Sequence, residues 1–140
     1  PRQRELRYED VRSALAEEGL IRLLMLDPGL VGKMEGIRGE EFSSPLLGRA
    51  FDLLHSRGEA GLSTSLAALA EQFTPEEMNH LAQVAEKPEN TANSAQAIGD
   101  YIAIIRGQAL LRRGKEQGDE LLLAAQRQYQ QKKAYLEERP

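Results

Sequence analysis

Apolar side chains recur along this chain at three- and four-residue spacings, the pattern of helices that each bury one face. The first such segment ends at Asp27. Its second half, Leu20, Ile21, Leu23, Leu24, Met25 and Leu26, is apolar on nearly every side except at Arg22, which predicts the central helix of a core. A short helix is predicted over residues 28–35. A longer one over about 44–56 places Leu46, Leu47, Ala50, Phe51 and Leu54 at core spacing, with Ser44 as its cap and Pro45 at the first helical position. Residues 63–73 carry Leu66, Leu69, Ala70 and Phe73 at the same spacing and predict another helix. The clearest start signal is Thr74-Pro75-Glu76-Glu77. Its threonine hydroxyl can accept from the Glu77 amide while the Glu77 carboxylate accepts from the threonine amide. The helix that follows, over 75–86, presents Met78, Leu81, Ala82 and Ala85 inward and is stopped by Pro88.

The pattern changes at about Asn93. No proline occurs from there to Pro140, and only Gly99, Gly107, Gly114 and Gly118 interrupt the helical sequence. The spacing predicts two long helices, about 93–115 and 119–138, turning within Gly114-Lys115-Glu116-Gln117-Gly118 to form an antiparallel hairpin. Leu121, Leu122, Ala125, Tyr129 and Leu136 share a stripe about 100° wide at 3.6 residues per turn, and are assigned to packing the hairpin together. Gly107 weakens its helix by roughly 1 kcal/mol relative to alanine and is a candidate hinge; close helix packing is the other reason for a glycine there. The expected organisation is a helical bundle over 1–99 and a hairpin over 100–140.

Composition narrows the class. Valine occurs only at Val11, Val31 and Val84, so a sheet lacks its preferred residues and the chain reads as all-α. At 140 residues and 41% hydrophobic content it supports one core, not two. The net charge is −4, divided between an acidic stretch 1–99 with 10 basic and 16 acidic side chains and a mildly basic stretch 100–140 with 8 and 6. That balance argues against nucleic-acid binding by charge alone. The absence of cysteine excludes disulfides, thiolate nucleophiles and cysteine-ligated metals. No apolar run approaches the ~20 residues of a membrane span, and the charged start at Pro1 lacks the form of a signal segment. A cytoplasmic protein is expected, and the missing initiator methionine points to a fragment of a longer chain.

Candidate chemistry is sparse. Gly32-Lys33 lacks the serine or threonine and the upstream glycine of a phosphate loop, having Met34 and Asp27 instead. His55 and His80 lie on separate predicted helices without metal-ligand spacing, and read as surface or partly buried structural residues. Glu17-Glu18, Glu40-Glu41 and Glu76-Glu77 are sequence neighbours, which point about 100° apart on a helix; they read as solvated faces and helix-start charges. No cofactor, metal or catalytic residue is expected. The most informative feature is on the last helix. Leu123 lies opposite the apolar stripe near Arg127 and Gln130, Tyr135 lies at its edge, and Lys133 flanks them. Exposed leucine and tyrosine beside basic residues have the composition of a protein interface.

The order of segments carries a resemblance. Ala16-Glu17-Glu18-Gly19-Leu20-Ile21-Arg22-Leu23-Leu24-Met25-Leu26-Asp27-Pro28-Gly29-Leu30, then Glu41-Phe42-Ser43-Ser44-Pro45-Leu46 running into Phe51-Asp52-Leu53-Leu54, and the long C-terminal stretch resemble the C-terminal helicase-binding domain of bacterial primase. The likeness covers nearly the whole chain after about residue 13 and lies in order and spacing, not in any catalytic motif. It implies a bundle joined to a terminal hairpin, with the hairpin docking on the N-terminal region of the hexameric replicative helicase and the bundle modulating it. Leu123, Arg127, Lys133 and Tyr135 would then form the helicase interface. The parent would be a DNA-directed RNA polymerase acting in DNA replication, whose zinc-binding and polymerising domains these residues do not include. Two alternatives remain: the N-terminal domain of the replicative helicase itself, which has a similar helical topology, and a nucleic-acid-binding module using Arg106, Arg112, Arg113, Lys115, Arg127, Lys132 and Lys133. Asp100, Glu116, Asp119, Glu120, Glu137 and Glu138 dilute the field the last alternative requires.

Overall fold

The structure, a computed structural model, describes residues 7–89 and 91–137, with side chains up to Lys133. Among the described residues the secondary structure is entirely helical. Helix α1 spans Val11–Leu26, α2 Pro45–Glu59, α3 Pro75–Glu86 and α4 Ser94–Glu137, with 3-10 segments at Pro28–Met34, Gly39–Glu41 and Leu66–Leu69. The all-α class expected from composition is what the chain adopts.

Local chemistry sets most boundaries. Asp10 caps α1 by accepting from the Ser13 amide at 3.1 Å, and Asp27 accepts from Gly29 at 2.9 Å to turn the chain into the 3-10 segment. Ser44 accepts from Leu47 with Pro45 in the first turn of α2, and Thr74 and Glu77 form the reciprocal capping box that starts α3. Helix α1 supplies the centre of the core, with Leu20, Ile21, Leu23 and Leu24 fully buried. Against it pack Leu47, Ala50, Phe51 and Leu54 of α2, Leu81 and Val84 of α3, and Ile98 and Ile105 of α4. At one crossing two backbones touch. A Cβ on Gly48 would fall on the Gly39 carbonyl, a Cβ on Gly39 would fall on the Gly48 carbonyl, and the Gly39 amide donates to Asp52 Oδ1 at 2.7 Å.

Three expectations are corrected. Residues 63–73 form one 3-10 turn instead of a helix. The hydroxyls of Ser63, Thr64 and Ser65 compete for backbone partners there. Thr64 Oγ1 donates to the Leu24 carbonyl at 2.7 Å, fixing the segment on α1 while Leu69 and Phe73 enter the core. Helix α3 turns Val84 inward and leaves Ala85 exposed. The expected hairpin is a single continuous helix: α4 runs through Gly114 and Gly118 without a turn. The positive-φ glycines among the described residues are Gly36 and Gly61. A glycine costs a helix roughly 1 kcal/mol, too little to break it where the surrounding Arg112, Arg113, Lys115, Glu116 and Gln117 favour helix and no packing holds a turn.

The chain divides into two compact units, residues 1–109 and residues 110–140. The first extends past residue 99 because Ile98 and Ile105 are buried in its core and Tyr101, Ile102 and Ile104 pack against it. The second, taken by itself, is the outer length of α4.

Candidate docking surface

Within residues 1–109, polar groups fix the first turns of α4. Arg106 Nε donates to Glu41 Oε1 at 3.0 Å and its Nη2 to the Gly36 carbonyl at 3.0 Å. Gln108 donates to both carboxylate oxygens of Asp10 at 3.2 Å, and Tyr101 donates its hydroxyl to Glu89 at 2.8 Å. The Tyr101 ring lies where a side chain on Gly19 would stand, so the glycine is what admits α4 against α1 at that point.

Behind this contact is a polar network that the sequence reading missed. Glu17 and Glu18, expected on solvated faces, are 0% and 1% exposed. Glu17 accepts from the Ser13 hydroxyl at 2.6 Å, the Ser43 hydroxyl at 2.7 Å, and the amides of Ser43 and Ser44 at 2.9 and 3.1 Å. A carboxylate of α1 thus seats the N-terminus of α2, where the helix dipole favours negative charge. Glu18 accepts from Lys87 Nζ at 2.8 Å and Tyr8 at 2.7 Å, with Arg22 at 3.4 Å. Arg22 also donates to Glu89 at 3.2 Å and to the Val84 carbonyl at 3.2 Å. Burial pushes Glu18 up, but the hydrogen bonds from Lys87 and Tyr8 and the charges of Lys87 and Arg22 outweigh it and hold the carboxyl below its ordinary value. Burial, followed by the Glu18 and Glu89 contacts, raises the hydroxyls of Tyr8 and Tyr101 respectively. His80 Nε2 lies 2.5 Å from the Tyr8 oxygen. Because Tyr8 gives its one proton to Glu18, His80 takes the donor role, and burial lowers its pKa. The available sequence signal was the i,i+4 pairing of Ser13 with Glu17 and of Glu18 with Arg22 on one helix.

These contacts join five segments: Tyr8, α1, Ser43-Ser44, α3 with its exit to Glu89, and Tyr101 of α4. Among the described residues no group of three or more His, Asp or Glu side chains is placed to hold a metal. His55 and His80 are both partly buried, on different helices, with His55 Nδ1 3.2 Å from Glu59.

The residues expected at the interface lie in the second unit. Leu123, Arg127 and Lys133 are exposed on the outer part of α4, and a shallow strip lined by Leu123, Arg127, Tyr129 and Gln130 is walled by that one helix. Leu121, Leu122 and Tyr129, expected to hold a hairpin, have no hairpin to hold and are 72%, 60% and 66% exposed. The side chains of Tyr135 and Leu136 lie outside the described residues. Gly107 sits in unbroken helix, and a Cβ there would meet nothing within 4 Å, so close packing does not account for it. Of the basic residues considered for nucleic acid, Arg106 is committed to Glu41 and Gly36. Among the described residues no helix is long and apolar enough to cross a membrane. Comparison with family models, with curated proteins and with solved structures finds no match to this chain.

Proposed function

We propose that the chain is a non-catalytic docking module that binds the N-terminal region of a hexameric replicative helicase through the outer part of α4, as the resemblance to the primase helicase-binding domain implies. One observation supports docking above all. Leu110, Leu111, Leu121, Leu122, Leu123 and Tyr129 lie on one helix and are all more than half exposed. Single exposed apolar residues are ordinary, but six large ones on more than one face of a single helix leave that helix with apolar surface suited to protein partners, Leu123 beside Arg127 being the part assigned to the helicase. The contacts of Tyr101, Arg106 and Gln108 with Glu89, Glu41 and Asp10 support the same reading from the other end: they hold that part of α4 within the body, leaving its exposed outer length as the recognition element. Lys115 sits among Glu116, Asp119 and Glu120, while Arg127, Lys132 and Lys133 lie farther along the helix, three cations spread over seven residues, a field too sparse to favour a phosphate backbone over a protein.

The test is calorimetric binding of the full chain to the helicase N-terminal region of the same organism. Leu123→Ala and Tyr135→Ala are each expected to weaken binding by about tenfold or more without loss of helical content. Arg127→Ala should cost less, as rim charges do. Normal affinity in both apolar variants places the interface elsewhere. A steep loss of affinity for single-stranded DNA with rising salt, in place of helicase binding, favours the nucleic-acid module instead.

A further inference from the structure

With no hairpin present, Leu122, Ala125 and Tyr129 of the stripe that the sequence assigns to hairpin packing are left exposed. At 100° per residue, Leu111, Gly118, Leu122, Ala125 and Tyr129 fall within about 60° of one another on α4. Leu123 points about 120° away from Tyr129, so the stripe is a different face from the one proposed for the helicase. In heptad terms Lys115, Leu122 and Tyr129 occupy a positions, Leu111, Gly118, Ala125 and Lys132 occupy d, so a lysine bounds the seam from Gly118 to Tyr129 at each end, and Asp119, Gln126 and Lys133 line one flank at e.

The charges on that flank are self-complementary in one direction only. Turned antiparallel about Gln126, two copies bring Asp119 of each beside the partner's Lys133, at both ends of the seam, and Gln126 beside the partner's Gln126. The same register sets the small Ala125 against the large ring of the partner's Tyr129, and Leu122 against the aliphatic stem of the partner's Lys132. A parallel pair instead stacks Gly118 on Gly118 and Ala125 on Ala125, leaving gaps, and sets Lys132 on Lys132 with no ion pair gained.

We propose that a second copy of this chain covers the stripe, pairing with it as an antiparallel two-stranded coiled coil centred on Gln126. The assembly differs from helicase docking in its apolar residues, since Leu123 faces away from the seam; Lys133 is common to both, so Leu123 and Asp119 are the positions at which mutation separates them.

Sedimentation equilibrium of the full chain, up to about 0.5 mM and at about 50 mM salt, tests it. The parent chain is expected to dimerise. Asp119→Lys alone and Lys133→Asp alone each replace two attractive pairs with two repulsive ones, and should weaken the dimer by about tenfold or more. An equimolar mixture of the two variants restores both pairs and should recover association as a heterodimer. Tyr129→Ser should abolish pairing and Leu123→Ser should leave it intact. Circular dichroism of each variant at matched concentration separates loss of pairing from loss of helix in the body. A monomeric parent chain overturns the proposal. So do single reversals that associate like the parent, a mixture that fails to recover association, or loss of pairing in Leu123→Ser.

Discussion

The carboxylate of Glu17 is the place where one substitution should most disturb the body. Its Oε2 accepts from two hydroxyls and the Ser43 amide, and its Oε1 accepts from the Ser44 amide. In Glu17→Gln the amide oxygen can take the Oε2 position and keep three of these contacts, but the NH2 group then opposes the Ser44 amide. That leaves one buried backbone donor unpaired and weakens the rest by removing the charge, at a cost of about 1–3 kcal/mol. Glu17→Ala strands both amides and empties a fully buried site; the hydroxyls can reorient, so the expected loss is about 3–5 kcal/mol. Glu76→Gln, at an exposed position in the first turn of α3, is the control and should change stability by less than about 0.5 kcal/mol. Urea titration should be followed through methyl NMR signals of Leu20, Leu24 and Leu47, because the outer part of α4 contributes ellipticity without sharing the core. A Glu17→Ala loss below about 1 kcal/mol would show that α2 finds its seat without this carboxylate.

Gly48→Ala should destabilise the body by about 2 kcal/mol or more, since the added methyl meets backbone that cannot rotate away, whereas Gly107→Ala should stabilise α4 by up to about 1 kcal/mol. Thermal melts of the two variants should move in opposite directions, and a neutral Gly48→Ala would contradict the close crossing. The His80 ring should titrate below its ordinary 6.5 by NMR. Its native pKa is depressed, so the unfolded chain takes up a proton that the native chain does not, and stability falls as pH drops through 6.5 towards the native value. Glu18 adds a second loss at lower pH: its stabilisation is present above the ordinary 4.5 and disappears as pH falls through its lowered native value. A His80 midpoint at or above 6.5 would show that the Glu18 charge, not burial, governs the ring.

Where a structure is decided within a few residues, the sequence was a sufficient guide. The capping box at Thr74, the Ser44-Pro45 start and the apolar run through Leu24 are each local chemistry, and each lies where expected. The errors fall where a distant partner decides. Glu17 and Glu18 look like surface charges until Ser43, Ser44, Lys87 and Tyr8 are brought to them across the fold. The Gly114 to Gly118 segment looks like a turn, but a turn forms only if packing on its far side repays the lost helix, and the exposed Leu121 and Leu122 have no such packing. The candidate interface residues were legible as a type, apolar beside basic on one helix. Which faces of that helix stand open could be read only once its continuity was known.

That continuity gives one helix two lifetimes. Up to Ala109 its hydrogen bonds open with the core that buries Ile98 and Ile105, so their opening is governed by the stability of the whole body. Beyond Leu110, wherever no partner covers the helix, only the helical ladder itself maintains order, and an isolated ladder melts and re-forms in about a microsecond or less. A protease that must stretch its substrate therefore finds Arg113, Lys115 and Arg127 offered continually, while Arg106, tied to Glu41 and Gly36, is offered only when the body unfolds. Cleavage would remove the helix proposed for docking and leave the body folded, so any binding that depends on that helix is lost long before the fold.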